Sequence, residues 1–333
     1  NTTYRAVVKS GGCASANSAP VSIAVLSTSV GGAISGSDTV CSESNSGILT
    51  ITGYTGNIIR WQSSDDGGAS WSNITNTTSF QNYSNINTTT SYRAVVQNGS
   101  CPAANSTEAI ITTIPASNGG SVSTDATVCS GINNGTLQVT GYTGNILSWE
   151  KSSDNGITWA AIPNATDTLS YFNLTTKTLF RANVQSGNCT VKKSTSATIN
   201  INVPSVGGII SGTDTVCSGS NNGTLTLNGY TGNIVRWQSS DDGGVSWSNL
   251  ANTIGVTLYH YANISTTTDY RAVIQNGSCF ADNSTSASIT VLPISIGGTL
   301  SPATYSVCNG INSGTILLSG QLGNIIRWES SLD

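Results

Sequence analysis

Apolar and polar positions alternate along most of this chain with a period of two. In Gly47-Ile48-Leu49-Thr50-Ile51-Thr52 the pair Leu49 and Ile51 falls on one face and Thr50 and Thr52 on the other, and Leu137/Val139 and Leu225/Leu227 repeat the arrangement. Successive side chains of a strand point to opposite faces, so the pattern predicts half-buried strands. Tyr54-Thr55-Gly56-Asn57 supplies a turn. Ile58 to Gln62 then reads as a strand with Ile59 and Trp61 inward. Tyr92 to Gln97 reads as another, with Tyr92, Ala94 and Val96 inward before an Asn98-Gly99 turn, and a last strand is expected near Ala109 to Ile114. No window reads as a helix, because long amphipathic stretches are missing and Thr, Ser, Asn and Gly, poor helix formers, dominate.

The strands recur as a block. Gly31-Gly32, Gly119-Gly120, Gly207-Gly208 and Gly297-Gly298 step by 88, 88 and 90 residues, with Pro115, Pro204 and Pro293 just before three of them. A period this long exceeds that of solenoid repeats, whose units cannot bury a core alone, and fits a β-sandwich of about 100 residues. With roughly seven short strands per block, the expectation is an all-β chain of tandem immunoglobulin-like β-sandwich domains arranged as beads on a string. The boundaries expected are 1–29 (the end of a preceding repeat), 30–117, 118–205 and 206–295 (whole repeats) and 296–333 (the start of a following one). The chain opens in the middle of a repeat and is expected to be a window onto a longer array, so missing targeting signals carry no information.

Composition narrows the function classes. Only 8% of the 333 residues are charged and the net charge is -4, so no cationic stripe exists for nucleic acid, which is excluded as a partner. No apolar run approaches the roughly 18 residues that span a bilayer, so no membrane insertion is expected in this segment. A surface of Thr, Ser, Asn and Gly suits a secreted protein.

The eight cysteines fall into two series. Cys41, Cys129 and Cys217 open the repeats, and Cys101, Cys189 and Cys279 close them at a nearly constant interval. One bridge per repeat (Cys41 to Cys101, Cys129 to Cys189, Cys217 to Cys279) is the expected arithmetic, leaving Cys13 and Cys308 for partners outside the chain. A rival joins sequence neighbours (Cys13 to Cys41, Cys101 to Cys129, Cys189 to Cys217, Cys279 to Cys308), and a third arrangement links one repeat to the next across the junction, stiffening a fibre. Each implies an oxidising compartment. Metal binding is disfavoured by a single histidine and the lack of a Cys-x-x-Cys pair, and no cofactor is expected.

The most repetitive stretch runs from Arg60-Trp61 to Trp71. Within it Ser64-x-Asp66-x-Gly68-x-Ser70-Trp71 returns as Ser152-x-Asp154-x-Gly156-x-Thr158-Trp159 and Ser240-x-Asp242-x-Gly244-x-Ser246-Trp247. These resemble the Asp-box of sialidase propellers, which implies a structural hairpin remote from any active site: Asp caps the turn's amides, Gly takes a positive φ and Trp anchors the hairpin. Calcium at Asp65-Asp66 and Asp241-Asp242 is a weaker alternative, since the second repeat has Asp154-Asn155 and no further ligands recur. A glycosidase would need two carboxylates across a cleft, and the recurring acids sit in turns. His260 has no counterpart in the other repeats and reads as a surface-strand residue. No nucleophile, acid or base converges, so an enzyme is not expected.

Val40-Cys41-Ser42 followed by a Gly, an alternating strand, a Trp, then Thr-Thr-x-Tyr-Arg-Ala and a closing Gly-x-Cys resembles the tandem immunoglobulin-like repeats of very large Bacteroidota surface adhesins. Tyr92, Phe180 and Tyr270 stand at the tyrosine-corner position, Phe180 without the hydroxyl. The resemblance implies export by the type IX secretion system, an extracellular cell-surface location, and a stalk or filament that projects a distal binding region. It also implies O-glycosylation at Asp-Thr-aliphatic sequences, here Thr39, Thr168 and Thr215. The partners expected are neighbouring repeats, further chains of a fibre by self-association, and a glycan or substratum ligand of unknown identity. The alternative function is a carbohydrate-binding array using Tyr83, Tyr171, Phe172, Tyr259 and Tyr261 as a platform, although the same aromatics read as core residues.

Overall fold

The computed structural model describes residues 1–123 and 125–332, and all regular structure in it is β-strand. In the first repeat the strands are β1 (Ala33–Ser35), β2 (Asp38–Cys41), β3 (Ser46–Thr52), β4 (Asn57–Ser64), β5 (Ser72–Ile74), β6 (Phe80–Ser84), β7 (Thr90–Gln97), β8 (Ala104–Asn105) and β9 (Ala109–Ile114). One sheet has the order β6-β3-β1, the other β2-β9-β7-β4-β5, with β8 also on β7. Neighbours are antiparallel except that β2 runs parallel to β9, with Asp38 opposite Ile111 and Cys41 opposite Ile114. The second and third repeats reproduce both sheet orders, including the parallel β2, the first strand of its sheet. This is the two-sheet immunoglobulin-like topology in tandem.

The cores form where the inner faces meet. Leu49, Ile51, Ile58, Trp61, Tyr83, Tyr92, Ala94, Val96, Ala109 and Ile111 make one buried cluster in the first repeat, and the third repeat has its counterpart around Trp237. Trp61, Trp149 and Trp237 are fully buried. Each indole N–H is satisfied by a main-chain carbonyl, of Thr78, Thr166 and Val256 respectively. A buried serine of the last hairpin (Ser106, Ser194 or Ser284) accepts the N–H of the central alanine of the β7 strand or its counterpart, at 2.8 to 2.9 Å. Such pairing removes the cost of burying a polar atom among apolar ones.

One inward assignment changes. Ile58, not Ile59, shares the core with Trp61: Ile58 is 6% exposed and Ile59 37%. The pairing of β4 with β7 slips between Val95 and Val96, a bulge that turns β4 over between Ile58 and Trp61. The same slip recurs at Ile146/Ser148 and Ile234/Arg236.

The Gly-Gly pairs fit the first strand against the last hairpin. A β-carbon on Gly31, Gly119 or Gly207 would overlap the carbonyl of Asn105, Lys193 or Asn283, and the second glycine takes φ of +75°, +69° or +78°. The described residues divide into two compact units, with the second repeat shared between them. Its residues 126–134, 172–177 and 199–205 belong with the third repeat and the rest with the first.

Candidate functional site: the repeat junction

The disulfides are not where the spacing puts them. Cys41 is bonded to Cys189 and Cys129 to Cys279, with Cα–Cα distances of 5.2 and 4.7 Å and separations of 148 and 150 residues. The within-repeat pairs Cys41 to Cys101, Cys129 to Cys189 and Cys217 to Cys279 are therefore corrected: each bridge joins the first strand of one repeat to the last hairpin turn of the next. The cause is the parallel β2. Because β2 and β9 point the same way, Cys41 lies at the end where the chain leaves the repeat, beside Ile114. Cys101 lies in the β7–β8 turn at the opposite end, where the chain arrives. The sulfurs of one repeat thus face away from each other, towards different neighbours. Each bridge falls inside one compact unit, Cys41–Cys189 in the first and Cys129–Cys279 in the second.

The first strand's cysteine is held by an asparagine four residues on, a residue that the sequence pattern marks only as part of a turn. The Asn45 amide donates to Cys41 O (2.7 Å) and Ile86 O (2.8 Å), and its side-chain oxygen accepts the Ile86 N–H. Asn133 and Asn221 do the same for Cys129 and Cys217. The constant Cys-x-x-x-Asn spacing, present also at Cys308 and Asn312, was the available signal.

The turn carrying the second cysteine is docked on the linker that precedes its repeat. Ser117 Oγ accepts the buried Ser186 N–H (2.9 Å), Cys189 Sγ lies 3.5 Å from Pro115 O, and Asn188 donates to Thr39 O (3.0 Å). Lys192 and Glu43 form an exposed ion pair at 3.6 Å across the same junction. At the next junction Ser205 Oγ accepts the Asn276 N–H (2.9 Å), Asn276 donates to Val203 O (2.8 Å), and Cys279 Sγ lies 3.2 Å from the same carbonyl. Phe280 and Ile132 are both about 85% exposed beside the Cys129–Cys279 bridge.

The Asp-turns are closed on themselves. Ser64 Oγ donates to Asp66 Oδ1 (2.6 Å) and accepts the Gly68 N–H (2.8 Å), while Asp66 accepts both the N–H and the hydroxyl of Ser70. Gly68 has φ of +91°, and Trp71 Nε1 donates to Gly68 O (3.0 Å). The turns at Ser152, Asp154, Gly156, Trp159 and at Ser240, Asp242, Gly244, Trp247 repeat this geometry. Both carboxylate oxygens are engaged by the turn itself. The hydrogen bond from Ser64, with those from Ser70, holds the Asp66 carboxyl far below the usual carboxylate range, and Thr158 lowers Asp154 to about 2. An arginine covers each indole, Arg93, Arg181 and Arg271 lying 4.0, 3.7 and 4.1 Å from the ring centroids of Trp71, Trp159 and Trp247.

The aromatics proposed as a sugar platform are mostly core. Tyr83, Tyr171 and Tyr261 are buried, and Tyr259 stacks on Trp237 at 5.5 Å, leaving Phe172 as the exposed member. Burial, with the neighbouring Tyr259 and Tyr261, pushes the Tyr270 hydroxyl up to about 12. His260 is exposed, on the strand that buries Tyr261, with Nδ1 2.8 Å from Thr224 Oγ1. Thr39, Thr168 and Thr215 are exposed, and Asp38 and Asp214 each accept the N–H of the threonine that follows. Among the described residues no three His, Cys, Asp or Glu side chains are grouped to hold a metal ion.

Solved structures of other tandem β-domain proteins align with the chain at low identity. Three immunoglobulin domains of titin, in an E-to-A variant, share 12% identity, with a TM-score of 0.43 over 77% of this chain and 95% of theirs. The three N-terminal domains of the Highly Immunogenic Outer Capsid protein of bacteriophage RB49 share 10%, with a TM-score of 0.37 over 75% of this chain and 94% of theirs. No curated protein matches the sequence. The fold assignment stands on strand order and register. A family profile described as a domain of unknown function, DUF8696, matches residues 30–115, 118–203 and 206–293, and the chain belongs to that family as three tandem copies.

Proposed function

We propose that this chain is a load-bearing stalk segment of a secreted surface protein, with no catalytic role, in which each repeat is tied covalently to the next. The observation that carries the reading is the placement of both disulfides between consecutive repeats, at the ends where the chain passes from one sandwich to the next. A bridge inside a repeat would stabilise a single bead. A bridge across a junction instead restrains the hinge between beads and gives tension a second route around the linker.

The supporting features point the same way. Disulfides form and persist in oxidising compartments, which fits an extracellular location. The surface is weakly charged and rich in hydroxyls and amides, which gives nonspecific partners little to hold. We place the array, by its sequence resemblance, among exported Bacteroidota adhesins of the type IX pathway, with the adhesive ligand bound by another part of such a protein. Electron microscopy of the purified chain tests the stalk reading. A row of beads that stays extended in oxidising buffer is expected, and a collapsed globule would contradict it.

A further inference from the structure

Four cysteines are free: Cys13, Cys101, Cys217 and Cys308. Two of them occupy the same seats as the bonded ones. Cys101 has its N–H on Asn98 O (3.0 Å), its carbonyl accepting from Gln97 Nε2 (2.9 Å), and its sulfur 3.4 Å from Ser27 O in the preceding linker. Bonded Cys189 and Cys279 have the matching N–H bonds to Ser186 O and Asn276 O, the matching amide from Gln185 or Gln275, and the matching approach to Pro115 O or Val203 O. The turn of Cys101 is docked as theirs are, the Asn98 N–H on Ser29 Oγ (2.9 Å) and Asn98 Nδ2 on Ser27 O (2.9 Å).

Cys217 is the counterpart at the other end. It stands beside Leu292 on a parallel pair, as Cys41 stands beside Ile114 and Cys129 beside Asn202. Its carbonyl is clamped by Asn221 at 2.8 Å. Cys101 is thus a finished turn-side half of a junction bridge, and Cys217 a finished strand-side half.

We infer that Cys101 and Cys217 are rungs of the same ladder, each bonded to a further copy of this repeat: Cys101 to the first-strand cysteine of the copy before, Cys217 to the turn cysteine of the copy after. Each rung forms when two thiols give up two protons and two electrons to a disulfide-bearing oxidant, such as an oxidoreductase, which leaves as its dithiol.

The ladder has a mechanical consequence that neither bridge has alone. The stretches Cys13–Cys41, Cys101–Cys129, Cys189–Cys217 and Cys279–Cys308 are nearly equal in length. With every rung closed, they join into two interleaved covalent tracks: one runs through Cys13, Cys41, Cys189 and Cys217, the other through Cys101, Cys129, Cys279 and Cys308. Tension would pass along the last strand, linker and first strand of alternate junctions. The sandwich bodies, Cys41 to Cys101 and their counterparts, would carry no load that could unravel them.

The test lengthens the chain with its own sequence. Residues 30–88 placed before Asn1 complete the repeat of which 1–29 is the end, and set a copy of Cys41 148 residues ahead of Cys101, the separation seen in Cys41–Cys189. After oxidative refolding in a glutathione buffer and iodoacetamide labelling, Cys101 should be protected and its peptide joined to the added cysteine. It should be labelled in the unextended chain, and labelled again when the added cysteine is serine. Appending residues 243–295 after residue 333 tests Cys217 in the same way. Cys101 still taking label in an extended chain whose Cys41–Cys189 bond has formed would overturn the inference. So would a bond from Cys101 to Cys41 of its own repeat. The first result would leave the two observed rungs, and the load-bearing reading, standing, whereas the second would take Cys41 from Cys189 and remove that rung too.

Discussion

Pulling the chain by its two ends turns the bridge pattern into a length. With both disulfides closed, the shortest covalent route follows residues 1–41, crosses to Cys189, returns to Cys129, crosses to Cys279 and leaves along 279–333, a total of 157 residues against 333 when reduced. At about 3.5 Å per extended residue, the fully unfolded lengths are about 550 Å and about 1170 Å. Cys41→Ser leaves the other bridge in place and opens the route only to residues 1–129 and 279–333, or 184 residues, a gain of about 95 Å. Cys101→Ser changes nothing, because that thiol is unpaired in the chain. Within-repeat bridges would behave otherwise: either substitution would release residues 42–100, about 205 Å. The assay is single-molecule force spectroscopy between terminal tags, with the free thiols of each variant alkylated beforehand. The larger of these gains, seen in either variant, would refute the junction pairing.

Other consequences follow from the packing and the turns. Trp237→Ala removes a fully buried indole and is expected to cost about 3–5 kcal/mol in urea denaturation, whereas Arg271→Ala, which uncovers the ring of Trp247, should cost about 1 kcal/mol or less. Gly119→Ala drives a methyl into the Lys193 carbonyl and should lower the melting temperature clearly. Gly297→Ala, at the same place in the repeat but with nothing within 4 Å, should stay within about 0.5 kcal/mol. The Asp-turn carboxyls titrate below their usual range in the folded chain, Asp154 at about 2. Their contribution is therefore full above about pH 4 and is lost as pH falls through the folded value. Thermal melts between pH 5 and 2 should show that loss, and Asp154→Asn should reduce it, leaving the part due to Asp66 and Asp242.

Much of the sandwich was legible because a period-two pattern with Gly-rich turns leaves few alternatives. Leu49, Ile51, Trp61, Tyr92, Ala94 and Val96 are inside, as the alternation requires. Ile59 escaped because a bulge is a local slip in pairing, and alternation carries no trace of it until the partner strand is known. The disulfides escaped for a topological reason. Spacing shows that Cys41 and Cys101 recur together in every repeat, but not that the Asp38–Cys41 strand runs parallel to the last strand and so puts its sulfur at the far end of the domain. The one sequence clue to that placement was Asn45, fixed four residues after each first-strand cysteine, whose clamp on the Ile86 loop defines where the strand stops. The Asp-turns are local, every partner of Asp66 lying within four residues of it, which is why their motif shows in the sequence.

The most direct measurement of the central claim is a non-reducing tryptic map of the oxidised, alkylated chain. Cys189 is the only cysteine of the peptide 182–192, whereas Cys41 shares 10–60 with Cys13 and Cys129 shares 94–151 with Cys101, so fragment-ion sequencing of the joined peptides names the bonded cysteine. Bridges across the junctions predict that 182–192 is recovered joined to 10–60. Recovery of 182–192 joined to 94–151 through Cys129 would put the bond inside the repeat and contradict the account.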